Sequence, residues 1–550
     1  MRLDVQEFKV HRIAFGHFSC FRDGLLSIRK EELIGLIAED NRIHGVDVVI
    51  VSPGEKTRIA NVNDILEPRI KGDDSTGYYP GIFARLFRAG QGRTWALKGC
   101  AVMEIGYKQG FYGGIVDMVG EGASLTPYSR THNVCILAKP APDVDLAEYG
   151  RALKLAGAKV SVYLARTAWD SDPHEVRSYD LKMESRRLKD LPKVAYLFQL
   201  HSHGDSREPF IYGANSRQYY PTILHPNEIL DGAIVCGHYD LPMCMKNTTY
   251  SILNHPVILD LYEKHGKELD FRGVVVAPEP TTMEEIHRTA MMAAGLMKDQ
   301  LGAEGVIITK EGGGHADVDL MRNCEACEDL GIKTVLMDNE WLGQDGAGHL
   351  SLLDMSEKAD AIVSLGNGDE IVEAGPVEKV VGGEIVADIK ENLMGRIVLP
   401  VRTIPGAISQ IGLSPMTVEV RERSIPAFMG MTPENSGVDL CKRAKHIIEA
   451  AGGAAGTDQD MFRMVRLLSK ISSSDPAGKP PEEKYPARGV RKNVLSDKRG
   501  SQRAIELLLR KLGGKEFDTE IEFPGKKIVD PGLTTPIRDV GRWTGAGRKG

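Results

Sequence analysis

The sequence predicts an α/β protein in which a β-rich N-terminal domain precedes a mostly parallel, doubly wound α/β domain, with a C-terminal extension of helix and linker. Two observations carry this prediction. Between residues 193 and 420, short runs rich in Val and Ile alternate with longer helical patterns, which is typical of a parallel sheet covered by helices on both faces. Over residues 90–122, glycine instead separates short apolar runs, as it does in hairpins.

The β-rich domain is predicted over residues 1–142. Within it, EELIGLIAED is typical of a short helix, while GVDVVIVSPG and RIANVNDILEPRIK are typical of strands. An αβ connecting unit follows over 143–192. Its segment LAEYGRALKLAGAKVSVYLA predicts a helix, a glycine stop and a strand, and the polar residues 170–192 are expected to be helical.

The α/β domain is predicted over residues 193–425. Its expected strands are VAYLFQL, GAIV, RGVVVAP, GVIITK, KTVLMD and DAIVSLG, and its expected helices include VILDLYEKHG, TTMEEIHRTAMMAAGLMKDQLG and DVDLMRNCEACEDLG. In such sheets ligands bind at the carboxyl ends of the strands. We therefore expect the loops HSHGDSRE, CGHYDLPMC, PEPTT, EGGGHADVD, NEWLGQDGAG and GNGDE to share one rim.

The C-terminal extension covers residues 426–550 and is expected to be partly helical. The stretch SSSDPAGKPPEEKYPARGVRKN has the composition of a linker, which we place near residues 472–500. SQRAIELLLRKLGG then predicts one amphipathic helix.

Bulk composition excludes several classes of protein. A chain of 550 residues exceeds what one hydrophobic core usually supports. The net charge of −7, with both signs interspersed, offers no basic surface for nucleic acid. No apolar run reaches the roughly 20 residues that span a bilayer, and the start of the chain does not resemble a signal peptide. Eight scattered cysteines suggest reduced thiols, so we expect a cytoplasmic protein.

A first candidate site is the H-x-H-x-D run of His201, His203 and Asp205. Residues i and i+2 of an extended segment point to the same side, so these side chains could converge on a divalent metal ion. The simpler interpretation is that polar residues gather where a strand emerges into water.

Cysteines give two further candidates. Cys236 and Cys244 flank HYDLPM, and a neighbouring imidazole such as His238 could activate either thiol, although buried cysteine is also a common inert core residue. Cys324 and Cys327 form a C-x-x-C pair. Acidic residues occupy the expected first turn of their helix, which favours a structural role for that pair.

The glycines of EGGGHADVD leave backbone N–H groups free at a helix start, so this loop is either an anion site or an ordinary loop before an Asp-capped helix. Aromatic residues on the same rim could hold an amine by cation–π attraction; they are Tyr219, Tyr220, Tyr239 and Trp341.

Residues 1–420 resemble the component B pyruvoyl-type subunit precursor of the glycine/sarcosine/betaine reductases. The segments that carry the resemblance occur in order and include EELIGLIAEDNRI, GRTWALKGCAV, NVCILAKP, DGAIVCG, KNTTY, NHPVILDLYEKHGKELDFRGV, LGAEGVIITKEGGG, GIKTVLMDNEWLGQDGA and IPGAISQIG. The C-terminal ~130 residues lie outside this resemblance.

The resemblance implies reductive cleavage of a C–N bond in a small amino-acid-derived amine. It also implies a pyruvoyl cofactor formed by self-cleavage at an Asn-Cys pair, a selenoprotein or thiol-containing partner subunit, a small carrier protein and an oligomeric complex. Here His238-Tyr239 stands where the family has Asn-Cys, and only Cys244 matches a later cysteine. Tyrosine offers no suitable β-leaving group for that self-cleavage.

Three interpretations remain open: a subunit of such a reductase complex, an unprocessed paralogue that binds an amine or acts as a scaffold, or a metal-dependent variant that uses His201, His203 and Asp205. We assign catalytic roles to Cys244, Cys236 and His238. The expected substrate-binding residues on the rim are Asp317, Asp319, Asn323, Asp345 and Tyr239.

Overall fold

The computed structural model describes residues 1–72, 77–108, 112–183, 188–202, 209–237, 247–344, 346, 354, 356–383, 392–421, 490–513 and 520–521, with backbone alone at 419–421, 490–491 and 520–521. The chain divides into one compact unit of Met1–Glu419 with Arg491–Val529 and another of Val420–Val490 with Asp530–Gly550. The second unit lies almost wholly outside the described residues, so the account below concerns the first.

The α-helices of the described residues are α1 (Lys30–Ala38), α2 (Gly120–Ser124), α3 (Leu146–Arg166), α4 (Pro226–Leu230), α5 (Thr249–Leu253), α6 (Pro256–Lys264), α7 (Met283–Gly295), α8 (His315–Asp329) and α9 (Gly500–Leu512). A π-helical turn, Leu296–Gln300, extends α7, and short 3-10 turns occur at Pro127–Arg130, Ser216–Gln218 and Val401–Thr403.

The strands before residue 193 are β1 (Arg2–Lys9), β2 (Arg12–Phe15), β3 (Cys20–Arg22), β4 (Leu25–Ile28), β5 (Ile43–Val51), β6 (Thr57–Leu66), β7 (Arg69–Lys71), β8 (Gly92–Lys98), β9 (Cys100–Ile105), β10 (Gly114–Asp117), β11 (His132–Pro140) and β12 (Glu175–Asp180). The later strands are β13 (Lys193–His201), β14 (Phe210–Ile211), β15 (Ala214–Asn215), β16 (Thr222–Leu224), β17 (Ile234–Val235), β18 (Asp270–Glu279), β19 (Gly305–Thr309), β20 (Lys333–Glu340), β21 (Ala361–Asn367), β22 (Ile371–Ala374), β23 (Lys379–Gly382), β24 (Ile397–Pro400), β25 (Met416–Arg421), β26 (Val490–Leu495) and β27 (Glu520–Ile521).

The N-terminal part is built on two sheets, with strand orders β12-β1-β8-β7 and β10-β6-β9-β11-β5. Strand β23, from much later in the chain, pairs with β6. Helix α3 packs into the core of this part and buries most of its residues, including Tyr149 and Leu153. The predicted β-rich character of the first 140 residues and the predicted helix α1 are confirmed.

A seven-stranded sheet with order β16-β18-β13-β19-β20-β21-β27 forms the second part. Its pairings are parallel except that of β16 with β18. Alternate residues of the central strand β13 enter different cores. Tyr196 and Phe198 face the core that includes α6 and α9, whereas Ala195 and Leu197 face the core that includes α7 and α8. Both faces are thus covered by helices, and the predicted mixed α/β class is confirmed.

The prediction of a strand at residues 158–165 is wrong. Helix α3 runs without a break from Leu146 to Arg166, because Gly157 is not a helix stop. A Cβ at Gly157 would lie 2.2 Å from Oε1 of Glu104 on β9, so the glycine lets the helix approach the sheet closely.

The prediction of a helix over residues 170–192 is also wrong for its central part. Residues Glu175–Asp180 form β12, the edge strand of its sheet, which pairs antiparallel with β1. The backbone hydrogen bonds of a sheet edge override local helix preference there.

Two more sequence assignments need correction. GAIV yields only the two-residue strand β17, which pairs with β14 in a small antiparallel sheet and takes no part in the parallel sheet. The proposed linker near residues 472–500 ends earlier than expected, since 490–495 form β26, which pairs with β25, and α9 begins at Gly500. Residues 472–489 lie outside the described residues.

No helix in the part of the chain that the structure describes is long and apolar enough to cross a membrane.

Candidate functional site

Buried polar side chains collect where the central strands of the parallel sheet end. They are fully or almost fully buried and consist of Gln199 and His201 of β13, Glu279 of β18, Lys310 and Glu311 after β19, Asp338, Asn339 and Glu340 of β20, and Ser364 and Asn367 of β21. Parallel strands bring their carboxyl ends to one edge, so the loops after the other predicted strands begin at one rim, whereas CGHYDLPMC follows β17, which lies outside this sheet. The acidic groups named above are buried.

Lys310 is the central cation of this edge. Its Nζ lies 2.9 Å from Oδ1 of Asp317 and 2.9 Å from Oδ1 of Asp338, and it donates a 2.8 Å hydrogen bond to the carbonyl oxygen of Gly312. Burial works against the charge, but the two carboxylates outweigh it and raise the pKa of Lys310. Lys310 is therefore held as an ammonium ion and cannot act as a nucleophile at neutral pH.

Asp338 has one carboxylate oxygen that does not contact Lys310. Burial, together with the charge of Asp317, raises the pKa of Asp338 to about 7, against the opposing charge of Lys310. Among the described residues Oδ2 of Asp338 has no hydrogen-bond partner, although it is buried. A buried carboxyl oxygen without a partner is costly unless a ligand or a proton satisfies it.

Asp319 forms a second acidic position, on helix α8. Its Oδ2 accepts a 2.5 Å hydrogen bond from Nε2 of Gln199, and its Oδ1 accepts a 3.1 Å bond from Nδ2 of Asn323. Burial raises the pKa of Asp319 well above its ordinary value. The side-chain oxygens of Gln199 and Asn323 are buried acceptors without a hydrogen-bond partner in the described ranges.

Glu279 and Glu311 make the third acidic position. The backbone N–H of Glu311 donates to Oε1 of Glu279 at 2.9 Å, and Nδ1 of His201 lies 3.7 Å from Oε2 of Glu279. Burial raises the pKa of Glu279 well above its ordinary value, and the charges of Asp319 and Glu311 act in the same direction. Glu279 therefore takes up a proton more readily than an exposed glutamate does, and it lies beside an imidazole.

Gln410 connects the glycine loop to β20. Its Oε1 accepts from the backbone N–H of Gly312 at 2.7 Å, while its Nε2 donates to the carbonyl of Gly312 at 2.7 Å and to Oδ1 of Asn339 at 2.9 Å. The backbone N–H of Gly312 in the EGGG loop is thus already hydrogen-bonded to a side chain of the protein. An aspartate, Asp317, also accepts from the N–H of Gly314 at 2.5 Å, which favours the ordinary capped-helix interpretation of this loop over an anion site.

Cys236 belongs to a separate buried network near the N-terminal sheets. Its backbone N–H donates to Oγ1 of Thr249 at 3.0 Å, and that hydroxyl donates to Oδ2 of Asp64 at 2.5 Å. Asp64 and Glu104 both pair with Lys154, and the pKa of Glu104 is raised to about 8 by burial and by the charge of Asp64, despite Lys154.

The Glu311 group and the Asp64 group both bind residues that adjoin segment 238–246. Residue Asn247, just after residues 238–246, donates from Nδ2 to Oε1 of Glu311 at 3.0 Å. Two residues further on, the backbone N–H of Thr249 donates to Oδ1 of Asp64 at 2.8 Å. The described residues on either side of 238–246 are therefore held by carboxyl groups of both parts of the protein, Asp64 and Glu311.

Asp317, Asp319 and Asn323 lie buried on helix α8, and Nδ1 of His201 lies 3.7 Å from Oε2 of Glu279; the roles predicted for these residues stay predictions. The other predicted site residues lie outside the described residues: Cys244, His238, Tyr239, Asp345, His203 and Asp205. No group of three or more potential metal ligands occurs among the described residues. Because two of the three predicted ligands are not described, the metal site stays a prediction.

The C-x-x-C pair is structural. Cys324 and Cys327 are buried in the apolar core beneath α7 and α8, and burial raises the pKa of the Cys324 thiol to about 12. Two of the aromatic faces considered for an amine are already near arginines, since Arg288 lies over Tyr220 at 5.6 Å and Arg402 over Trp341 at 6.0 Å.

Sequence reasoning missed Lys310, Glu279, Glu311, Asp338 and Gln410 as site residues. The first four follow or end apolar strand runs, and a charged residue at the end of such a run was the available signal. No such sequence signal marks Gln410, because its role depends on its contact with the distant EGGG loop.

The fold and the site define an α/β protein with a mostly parallel sheet whose carboxyl edge, among the described residues, carries buried acids and Lys310. Comparison with known proteins gives the family. A family model described as glycine/sarcosine/betaine reductase component B subunits matches residues 1–405, and one described as glycine/sarcosine/betaine reductase selenoprotein B (GRDB) matches residues 413–546. The chain belongs to the family of glycine/sarcosine/betaine reductase component B subunits.

Individual relatives agree with this assignment. The glycine reductase complex component B subunits alpha and beta of Acetoanaerobium sticklandii are 37% identical over 431 residues, which cover 76% of this chain and 100% of that protein. The sarcosine reductase complex component B subunit alpha of Peptoclostridium acidaminophilum is 38% identical over 398 residues, covering 72% of this chain and 92% of that protein.

The C-terminal segment has relatives of its own. The glycine reductase complex component B subunit gamma of Carboxydothermus hydrogenoformans is 37% identical over 125 residues, which cover 23% of this chain and 28% of that protein. The C-terminal region, which lay outside the resemblance found from the sequence, is thus similar to part of a second subunit type. No solved structure matches the chain significantly.

Replacing Lys310 tests the charge balance of the site. Lys310→Met leaves Asp317 and Asp338 buried without their cation, and we expect a loss of about 3–5 kcal/mol in the free energy of unfolding, measured by urea denaturation at pH 7. Lys333→Met, at the exposed start of β20, is the control and should change it by less than about 0.5 kcal/mol. A loss below about 1 kcal/mol for Lys310→Met would show that the two aspartates do not depend on this lysine.

Proposed function

We propose that this chain is a subunit of a glycine/sarcosine/betaine reductase-type complex and binds a small amino-acid-derived amine at the acidic edge of the parallel sheet. Family membership supports the complex. The observation that supports amine binding is the excess of buried acids over cations among the described residues at this edge: Glu279, Glu311, Asp317, Asp319, Asp338 and Glu340 against Lys310 and the neutral or charged His201.

An ammonium group suits this edge because attraction between opposite charges is strong where water is excluded. The buried acceptor oxygens of Asp338, Gln199 and Asn323, which have no hydrogen-bond partner in the described part of the chain, offer further contacts to such a group. A cationic ligand would offset the negative charge that these acids carry when they are ionised.

The expected reaction is reductive cleavage of the C–N bond. A selenol or thiol of a partner protein forms a bond to the carbon, the C–N electron pair leaves with nitrogen, and the departing amine takes up a proton. Glu279 supports this step, since it is buried, its pKa is raised well above the ordinary value, and its Oε2 lies 3.7 Å from Nδ1 of His201. The fragment would then pass to a small carrier protein.

The residues present do not fit a pyruvoyl precursor at the position that the family uses. His238-Tyr239 stands in place of Asn-Cys, and tyrosine lacks the leaving group that self-cleavage needs, so no step here depends on a pyruvoyl group. An enzyme without this electrophile cannot form a Schiff base through it. This favours a quaternary or otherwise substituted amine, which needs no Schiff base.

Amine binding can be tested by calorimetry with betaine, sarcosine and glycine. We expect betaine to bind most tightly, and Asp319→Asn to weaken its binding at least tenfold, or about 1.4 kcal/mol. Asp329→Asn, at the exposed end of the same helix, should change the affinity less than twofold. Equal affinities for Asp319→Asn and the wild type would refute the assignment of the site, and tighter glycine binding would refute the preference for substituted amines.

An unprocessed amine-binding or scaffold subunit is the second candidate, favoured by the same His238-Tyr239 pair. The intact mass of the purified chain separates processed from unprocessed protein. We expect one chain of 60.3 kDa. Two polypeptides, the larger with a blocked N-terminus, would instead indicate self-cleavage nearby, with Cys244 or Cys236 as the responsible residue.

A further inference from the structure

The GRDB-like C-terminal segment is built into the parallel sheet. Within residues 413–546, strand β27 pairs in parallel with β21 at the sheet edge, and α9 covers one face of the strands β19, β20 and β21. The segment therefore supplies a strand and a covering helix to a sheet whose other strands belong to the part that matches the alpha and beta subunits.

Helix α9 is packed as a core helix. Ala504, Ile505, Leu507 and Leu508 are buried in the apolar cluster that contains the central strands. A Cβ at Gly305, the first residue of β19, would lie 3.0 Å from Cδ1 of Leu508, so the absence of a side chain there admits the helix. The close packing of α9 on β19 thus depends on Gly305 in one part of the chain and on Leu508 in the other.

Ion pairs and hydrogen bonds fix the helix at both ends. At its start, Oγ of Ser501 donates to Oδ2 of Asp260 at 2.6 Å, and Nη2 of Arg499 lies 2.5 Å from Oδ1 of the same residue. At its end, Nζ of Lys511 donates to the carbonyl oxygen of Thr334 at 3.0 Å and also pairs with Asp360.

The segment also reaches the edge of the candidate site. Oδ1 of Asn493 on β26 accepts from the N–H of Asn367 at 2.6 Å, and its Nδ2 donates to the carbonyl of Asn367 at 2.9 Å. Asn367 in turn accepts from the N–H of Leu342 at 3.1 Å and donates to the carbonyl of Gly343 at 3.0 Å. The turn that follows β20 is therefore held in place through Asn493.

We propose that the face formed by α6 and strands β19–β21 is a subunit-docking surface for a GRDB-type C-terminal segment, occupied here by the chain's own α9 and β26. The two parts match relatives named as different subunits, alpha with beta and gamma. Their contact combines a buried apolar helix face with specific ion pairs, as stable subunit interfaces do. The covalent link is then not what keeps the segment in place.

The test uses the full chain with a protease recognition sequence inserted between residues 455 and 456, outside the described residues. After cleavage, confirmed on a denaturing gel, the two fragments should co-elute in gel filtration at the size of the intact chain. Separation of the wild-type fragments under native conditions would overturn the proposal.

Substitutions in the cleaved protein locate the contact. Asp260→Asn and, more strongly, Lys511→Met should raise the dissociation constant of the fragments at least tenfold. Glu506→Gln, on the exposed side of α9 beside Lys498, should change it less than threefold. Equal effects of all three would place the association elsewhere. Association of the two fragments does not depend on amine binding. It would still be expected if the proposed amine-binding function failed its own test.

Discussion

Burial of carboxyl groups at the end of a parallel sheet is the constraint on which the rest of this structure depends. An isolated buried carboxylate is so costly that it takes up a proton or finds a cation. Here one lysine, Lys310, neutralises part of the set, and the pKa values of Asp319, Glu279 and Asp338 are raised. This edge therefore combines carboxyl groups of raised pKa with buried acceptor oxygens that have no hydrogen-bond partner among the described residues.

That constraint explains how the surrounding elements are arranged. The EGGG loop between β19 and α8 bends back so that Gly312 meets Gln410, and Asp317 caps the helix while it pairs with Lys310. From the other side, Asn493 of the GRDB-like segment fixes Asn367. A site of this kind needs rigid support from several elements, because an acid that could swing into water would lose its altered pKa.

The parallel sheet and its helices could be predicted from the sequence, since short Val/Ile runs and amphipathic helices alternate over several units. The rim followed from topology alone. Long-range effects could not be predicted. Gly157 lies within a continuous helix and leaves room for Glu104 of another element, and residues 175–180 form a strand by pairing with β1.

Local sequence patterns likewise predict only part of the candidate site. Asp317, Asp319 and Asn323 were expected on the rim and lie on helix α8, which follows β19. Gln410 and Asn493 instead act across long sequence separations that no local pattern records. The role of the C-terminal helix depended on the sheet it covers. Its amphipathic pattern predicted a helix but not the partner surface.

The most direct test of this account is proton release on amine binding, measured at pH 7 by calorimetry in buffers of different ionisation enthalpy. An acid with a raised pKa is protonated more readily in the free protein, and a bound cation favours its ionised form, so binding should release protons and affinity should increase with pH. We predict that betaine binding releases a measurable fraction of a proton, reduced in Asp319→Asn. Binding without proton release, or with proton uptake, would contradict the account.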